Sequence, residues 1–306
     1  MNVTLDRAAE LIREGELVAF PTETVYGLGA NALDAAAVAK IFAMKGRPAS
    51  SPLIVHVASI EMARGIVRAW PPQAEALAQR YWPGPLTLVL PKSPAIPGIV
   101  TAGLETVGVR VPSHSIALQL IEAAGVPIAA PSANRFTGLS PTTAEHVREA
   151  FGDALPILDG GPCQVGIEST VVSIAQGKIT LLRPGMISLA EMEQAAPANQ
   201  GEAHAAPGMH PRHYSPRTRL FTVNAPEELP DHQGAYLWRT RPGLTARCIR
   251  MPLKAAAYAN RLYSVLHEVD GEGWPWIALE MPPDKPGWSA IIDRIRRASA
   301  TGGGGD

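Results

Sequence analysis

The sequence predicts an α/β protein built on a mixed sheet, followed by a second, smaller α/β domain. Three observations predict it. Helix-like and strand-like periodicities alternate from residue 5 to residue 195, a hairpin pattern at 169–182 adds an antiparallel pair, and a Pro-rich stretch from Ala195 to Pro216 precedes another alternating set. The length of 306 residues agrees, because single cores stop growing at roughly 250–300 residues.

The elements follow in order. Leu5, Ala8, Ala9 and Ile12 recur at helical spacing, and Gly15 punctuates the chain before the strand Leu17–Phe20. Val38, Ile41 and Phe42 mark a helix after Asp34, and Leu53–Val57 is a strand. Ile60, Ala63, Ile66 and Val67 mark a helix behind the cap Ser59. Leu86–Leu90 and Val107–Val111 are strands. Ser113 is expected to cap a helix through Ala124, and Thr142 with Glu145 has capping-box spacing for the helix ending near Phe151. Ser169–Ile174 and Lys178–Leu182 form the hairpin, and a short helix starts at Ser188. Past the Pro-rich stretch, strands at 219–223, 234–238 and 276–280 alternate with helices at 254–269 and 288–298. The expected organisation is a catalytic domain at 1–195, a linker and active-site lid at 196–216, an α/β domain at 217–300 and a flexible tail at 301–306.

Composition narrows the function classes. A net charge of -1 leaves no basic footprint for strong direct nucleic-acid binding, so any working charge is local to a cleft. Two distant cysteines, Cys163 and Cys248, offer no metal or disulfide spacing. An amino terminus carrying Asp6, Glu10, Glu14 and Glu16 is not a signal peptide, and no 18-residue apolar run occurs. A cytoplasmic protein without membrane contact is expected.

Small polar and cationic groups collect at predicted strand ends, where α/β folds hold ligands. Pro21 to Ala30 carries Thr22, Glu23, Thr24 and Tyr26 ahead of Gly27 and Gly29, and the bare pattern is equally a polar turn. Lys45-Gly46-Arg47-Pro48 offers a lysine point charge beside a guanidinium able to grip phosphate bidentately, although a solvated helix end has the same sequence. His56 closes the strand that follows, and Arg110 closes another. Ser132-Ala133-Asn134, Glu168-Ser169-Thr170 and Arg183 complete the set. His204, His210 and His213 in the linker raise a metal site, but no cysteine is near them, and His213-Tyr214 between prolines reads better as a lid. No nucleophile elbow is present.

These motifs, with Pro52 to His56, Trp82 to Thr87, Gly108 to Pro112, Gly166 to Val171, Leu182 to Gly185, Pro207 to Met209 and His213-Tyr214-x-Pro216, resemble the YrdC-domain family in its two-domain form, the threonylcarbamoyladenylate synthases. The resemblance implies a twisted, concave sheet whose cavity joins L-threonine, bicarbonate and ATP into threonylcarbamoyl-AMP and pyrophosphate. It implies magnesium accompanying ATP and no structural metal. A tRNA threonylcarbamoyl transferase complex is the implied receiver of the product.

Carried over by position, Lys45, Arg47, Ser132, Asn134 and Arg183 are the expected ATP contacts, with Lys45 and Arg47 catalytic. Thr22, Tyr26, His56, Arg110 and Ser169 are the expected threonine contacts, with Thr24 beside them. His213 and Tyr214 are the expected lid. The family's basic-aromatic pair after Met209 is replaced here by His210-Pro211, which leaves the lid contacts open. A chain ending after Ala195 is expected to fold and bind ATP yet lose turnover. Two competing readings are a non-catalytic RNA-binding module, disfavoured by the charge, and a carbamoyl transferase, which would need zinc-binding Cys pairs absent here.

Overall fold

A computed structural model describes residues 1–175, 177–195 and 213–300. Residues 196–212 of the expected linker and lid at 196–216, with His204 and His210, and the expected tail at 301–306 lie outside the described residues. In chain order the first part comprises α1 (Leu5–Arg13), β1 (Val18–Phe20), β2 (Gly27–Asn31), α2 (Ala35–Lys45), β3 (Ile54–His56), α3 (Ile60–Gly65), α4 (Pro72–Tyr81), β4 (Leu86–Pro91), β5 (Thr106–Arg110), α5 (Ser115–Ala124), β6 (Ile128–Ala129), α6 (Ala144–Phe151), β7 (Thr170–Ala175), β8 (Lys178–Arg183) and α7 (Leu189–Ala195). The second part comprises β9 (Leu220–Val223), β10 (Ala235–Trp238), β11 (Arg247–Arg250), α8 (Ala255–Gly271), β12 (Ile277–Glu280) and α9 (Ser289–Ser299).

The eight strands of the first part form one mixed sheet in the order β1-β2-β6-β3-β5-β4-β7-β8, as expected of an α/β protein with an added hairpin. β3 pairs parallel to β5 and β4 parallel to β7, and the other neighbours are antiparallel. The second part carries a smaller sheet, β11-β10-β12-β9, paired parallel throughout.

Helix starts obey local chemistry. Asp34 accepts from the amides of Ala36 and Ala37 at the head of α2, and Gly46, at φ 64°, ends that helix in the left-handed region glycine tolerates. Two expected caps move by one residue. His114 Nδ1, not Ser113, accepts from the Ile116 amide, and Thr143, not Thr142, accepts from the His146 amide. Four elements were not expected, the two-residue β6 among them. β2 lies in a Gly-rich stretch of low strand propensity, and it forms because the Phe20 ring lies against Gly27 and Gly29, where a Gly29 Cβ would stand 2.8 Å from the ring. α4 buries only Ala74, Leu77 and Ala78, and β11 buries only Ile249, patterns too sparse to read.

The main core of the second sheet is shared with the first part. Val25, Leu139 and Ile167 from the first part pack in one cluster with Tyr258, Leu262, Leu266 and Ile291 of the second. Gly166, at φ 82°, lies directly under α8, and a Cβ there would meet the Asn260 backbone at 2.6 Å. Asn260 Nδ2 in turn donates to the carbonyls of Cys163 and Gln164.

Across the same interface the rings of His146 and His267 stack at 3.8 Å. Burial pushes both pKa values down to about 4, helped for His267 by His146. The unfolded chain therefore takes up protons first as pH falls. The stability held by this pair is complete above about pH 6.5 and is lost as pH drops towards 4. Glu149, 3.7 Å from His267 Nδ1, is too exposed to compensate fully. The urea midpoint is expected to fall between pH 7 and 4.5, and His146→Phe with His267→Phe to flatten that fall. An unchanged slope in the double variant would contradict the assignment.

Candidate active site

Strand register gathers the polar strand ends. β3 and β5 run parallel with His56 opposite Arg110. β4 runs antiparallel to β5, and β7 pairs parallel with β4, which brings Ser169, just before β7, to the same end. β8 returns antiparallel, so Arg183 stands opposite Val171. The loop after β6 meets Gly27 through Ser132. The gathered strand ends bound a cleft that opens to solvent. Its walls include Thr22, Thr24, Arg47, His56, Arg110, Ser132, Glu168, Ser169, Arg183, His213 and Tyr214.

Nine of the twelve candidate residues line this cleft, and three do not. Lys45 is one of the three: its side chain runs from the last turn of α2 beneath the 132–134 loop, where Nζ donates to the carbonyls of Ser132 at 2.6 Å and Asn134 at 2.5 Å. Burial, and then Arg47, push its pKa well below the usual lysine range. Lys45 holds the loop that presents Ser132. Asn134 faces away, its Nδ2 donating to the carbonyls of Arg135 and Gly138. The Tyr26 phenol points to the 159–161 loop, donating to Gly161 O at 2.8 Å and accepting from the Gly160 amide. Each of these three side chains has hydrogen-bond partners inside the protein, distant in sequence for Lys45 and Tyr26 and within the turn for Asn134.

The residues that do line the cleft form two networks. In the first, Arg110 Nη2 lies 2.7 Å from Glu23 Oε1, Nε donates to Gly84 O, and Nη1 donates to Thr24 Oγ1 at 3.0 Å. Thr22 Oγ1 donates to Val25 O at 2.6 Å, so the 2.8 Å contact between the two threonine hydroxyls must run from Thr24 to Thr22. Hydrogen bonds therefore pass one way from the guanidinium through both hydroxyls, and the Thr22 hydroxyl is committed within its turn. In the second network, Arg183 Nε and Nη2 donate to Ser169 O and Oγ, both at 3.1 Å, and Ser169 Oγ lies 2.8 Å from Thr87 Oγ1.

Glu168 contributes a carboxylate to the wall, and no local pattern announces what it binds. Oε1 accepts from Ser140 at 2.5 Å, and Oε2 accepts from Arg294 Nε at 2.7 Å and from Tyr263 at 3.2 Å. Two of these partners come from α8 and α9. A chain ending after Ala195 would thus lose Glu168's partners and bare Val25, Leu139 and Ile167. The structure argues against the expectation that such a fragment keeps an intact site.

Buried polar atoms are nearly always paired in folded proteins, yet four wall residues carry such atoms without partners among the described residues: Arg47 Nε, His56 Nδ1, His213 Nδ1 and Tyr214 Oη. Burial lowers Arg47 to about 10, so it stays a cation at neutral pH. Burial pushes His56 and His213 to about 3, His56 further by Arg110, so both are neutral. Tyr214 holds φ 62°, uncommon for a bulky residue, with its ring 4.1 Å from His213 and the Arg294 guanidinium 5.2 Å from its centre. Three arginines facing unpaired buried donors and acceptors make a pocket for a polar anion. Among the described residues no group of three His, Cys, Asp or Glu gathers as a metal ion would need.

The Sua5/YciO/YrdC family model, described as telomere recombination, matches residues 10–185, and the model described as threonylcarbamoyl-AMP synthase, C-terminal domain, matches 185–300. A threonylcarbamoyl-AMP synthase of Bacillus subtilis is 41% identical over 96% of this chain and 92% of its own length. One from Pyrococcus abyssi is 52% identical over 72% of this chain and 68% of its own length. The crystal structure of P. abyssi Sua5 complexed with L-threonine superposes with a TM-score of 0.88 at 40% identity, covering 98% of this chain and 96% of that one. A P. abyssi Sua5 variant with an adjacent His and Tyr both changed to Ala gives 0.89 at the same identity, covering 98% and 95%. Family models spanning the whole of 10–300, and relatives matched along nearly the full length, carry one conclusion: the chain belongs to the Sua5/YciO/YrdC family, in the two-domain form that carries the Sua5 C-terminal domain.

Proposed function

We propose that the chain is a threonylcarbamoyl-AMP synthase, which joins L-threonine, bicarbonate and ATP and releases pyrophosphate. The observation that carries the reading is the cleft of Arg47, Arg110 and Arg183 with its unpaired buried polar atoms, in a chain whose relatives bear that name. The unit 1–195 is read as catalytic, 196–216 as linker and lid, and 217–300 as the partner domain.

The chemistry requires little from side chains. The threonine amine condenses with bicarbonate, releasing water, to give N-carboxy-threonine; a carbamate oxygen then attacks the α-phosphorus, that P–O bond forms, the bond to the β-phosphate bridge breaks, and pyrophosphate leaves with the electron pair. No protein nucleophile takes part, so placement and charge neutralisation carry the rate. Arg47, Arg183 and Ser132 are assigned to the triphosphate, with Lys45 and Asn134 supporting the loop. Arg110, His56 and Ser169 are assigned to threonine, with Thr22 and Thr24 holding Arg110 in place. Glu168 on the wall and Glu23 behind Arg110 are both engaged by arginines, so neither is spare for a cation. Magnesium is read as part of the nucleotide substrate.

The adenylate is labile in water, which gives a lid its purpose. His213 and Tyr214 are assigned that role, and delivery to a tRNA-modifying transferase in the cytoplasm completes the reading. No helix among the described residues is long and apolar enough to cross a membrane. An RNA-binding module is not favoured, given the family and the net charge of -1.

Pyrophosphate release from ATP should require threonine and bicarbonate together, and release independent of either would overturn the reading. Tyr214→Ala should retain ATP affinity while the yield of intact adenylate per pyrophosphate drops several-fold. Equal yields in the two proteins would remove the lid assignment.

A further inference from the structure

Glu168 is the one carboxylate lining the cleft among the described residues, and it faces the arginines that the proposed function assigns to a polyanion. Left ionised and unpaired there, it would repel a triphosphate and offer Arg183 an internal counter-ion. It is not left so. Arg294, fully buried on α9, donates from Nε to Glu168 Oε2 at 2.7 Å, while Nη1 lies 2.7 Å from Asp293. The same guanidinium stands 5.2 Å over the Tyr214 ring. A single side chain from the second domain thus touches both the cleft wall and the residue assigned as lid.

We propose that Arg294 is a positioning residue of the cleft: by engaging Glu168 from behind, it keeps the wall's carboxylate from competing with the nucleotide for Arg183 and Arg47. The inference rests on the reading of the cleft as the triphosphate site. The second domain is then a working part of the nucleotide site rather than an appendage.

The pH dependence gives this role its signature. Burial would raise the Glu168 pKa, and Arg294, then Arg183, override it, so the carboxylate is held below its ordinary range. The charged and titratable groups around it are Arg294, Arg183, Tyr214, Tyr263 and His213, with Asp293 beyond Arg294. In Arg294→Met burial is opposed only by Arg183 and the Ser140 hydrogen bond, so the Glu168 pKa rises. Above that pKa the carboxylate is ionised and pairs with Arg183, which ATP must displace. Below it the carboxyl is neutral and competition ends. ATP affinity in the variant is therefore weak at high pH and recovers as pH falls, whereas in the native protein Glu168 stays ionised and engaged throughout.

The experiment is ATP binding by calorimetry from pH 5.5 to 8.5 on the full chain. Arg294→Met should bind ATP about tenfold more weakly at pH 8, within the range of coupling between contacting residues, and should recover towards pH 5.5. Glu168→Gln added to Arg294→Met should restore affinity to within about threefold and remove the extra pH dependence. If Arg294→Met does not fold, Arg294→Lys, which keeps the charge without the guanidinium contact, replaces it with the same direction and a smaller effect. A folded single variant with native affinity at every pH overturns the proposal, as does a folded double variant that stays weak. Arg47→Ala separates the two ideas. If Arg47→Ala also leaves ATP affinity unchanged, the triphosphate reading itself is wrong. If it weakens ATP while the Arg294 variant does not, only the role of Arg294 falls.

Discussion

Valine is expected to be poorer than threonine by a factor on the order of 10⁴ in kcat/KM for pyrophosphate release. The two amino acids are nearly isosteric, so a purely apolar pocket would separate them weakly. The cleft is not of that kind. His56 is 4% exposed, neutral at working pH, and its Nδ1 has no partner among the described residues. A substrate hydroxyl satisfies that nitrogen in either tautomer, as acceptor or as donor. Valine would bury a methyl there and leave the nitrogen orphaned, which costs its full desolvation. Thr22, another expected threonine contact, has its own hydroxyl committed to Val25 O, so the discrimination is assigned to His56 in the proposed function. Comparable pyrophosphate release with valine and threonine would eliminate the assignment. His56→Phe should bring the two substrates closer together, chiefly by lowering activity with threonine.

Replacing Arg47 by Ala should weaken ATP binding by about 1.5–3 kcal/mol, roughly 10- to 150-fold, the scale of a hydrogen bond to a charged group. The guanidinium is buried, remains charged at neutral pH, and spends Nη2 on Pro52 O while Nε is unpaired among the described residues. It also neighbours two like charges, since it lowers the Lys45 pKa and its own is lowered by Arg183. Such crowding of cations destabilises the empty fold, so Arg47→Ala should melt no earlier than the native protein while binding ATP worse. Unchanged ATP affinity in calorimetry would remove Arg47 from the nucleotide site.

Much of this was legible in the sequence, and the part that was not has a physical pattern. The strand pairs β3/β5 and β7/β8 announced themselves by β-branched runs, and the register that joins them puts His56, Arg110, Ser169 and Arg183 on one wall. β2 was hidden because its glycines have no strand propensity of their own and depend on the Phe20 ring. Lys45, Asn134 and Tyr26 have the residue types of ligand contacts, but their partners are carbonyls and amides on loops 87 to 135 residues distant or adjacent in a turn. No local pattern records such pairings. Glu168 and Arg294 illustrate the same limit from the other side. Each is unremarkable in its own segment, and their pairing across 126 residues exists only once the two sheets are packed.

The cluster that joins Val25, Leu139 and Ile167 to α8 and α9 has a consequence for the making of the protein. The first sheet is complete by residue 183, yet its partner surface emerges only after about 100 further residues. At roughly 5–20 residues per second, translation leaves that apolar face uncovered for about 5–20 s. During this interval the nascent chain resembles a subunit awaiting its mate, with the same exposure to wrong associations. The cell's demand on folding assistance should therefore be set by how quickly the last third of the chain follows the first two thirds, rather than by the stability of either sheet.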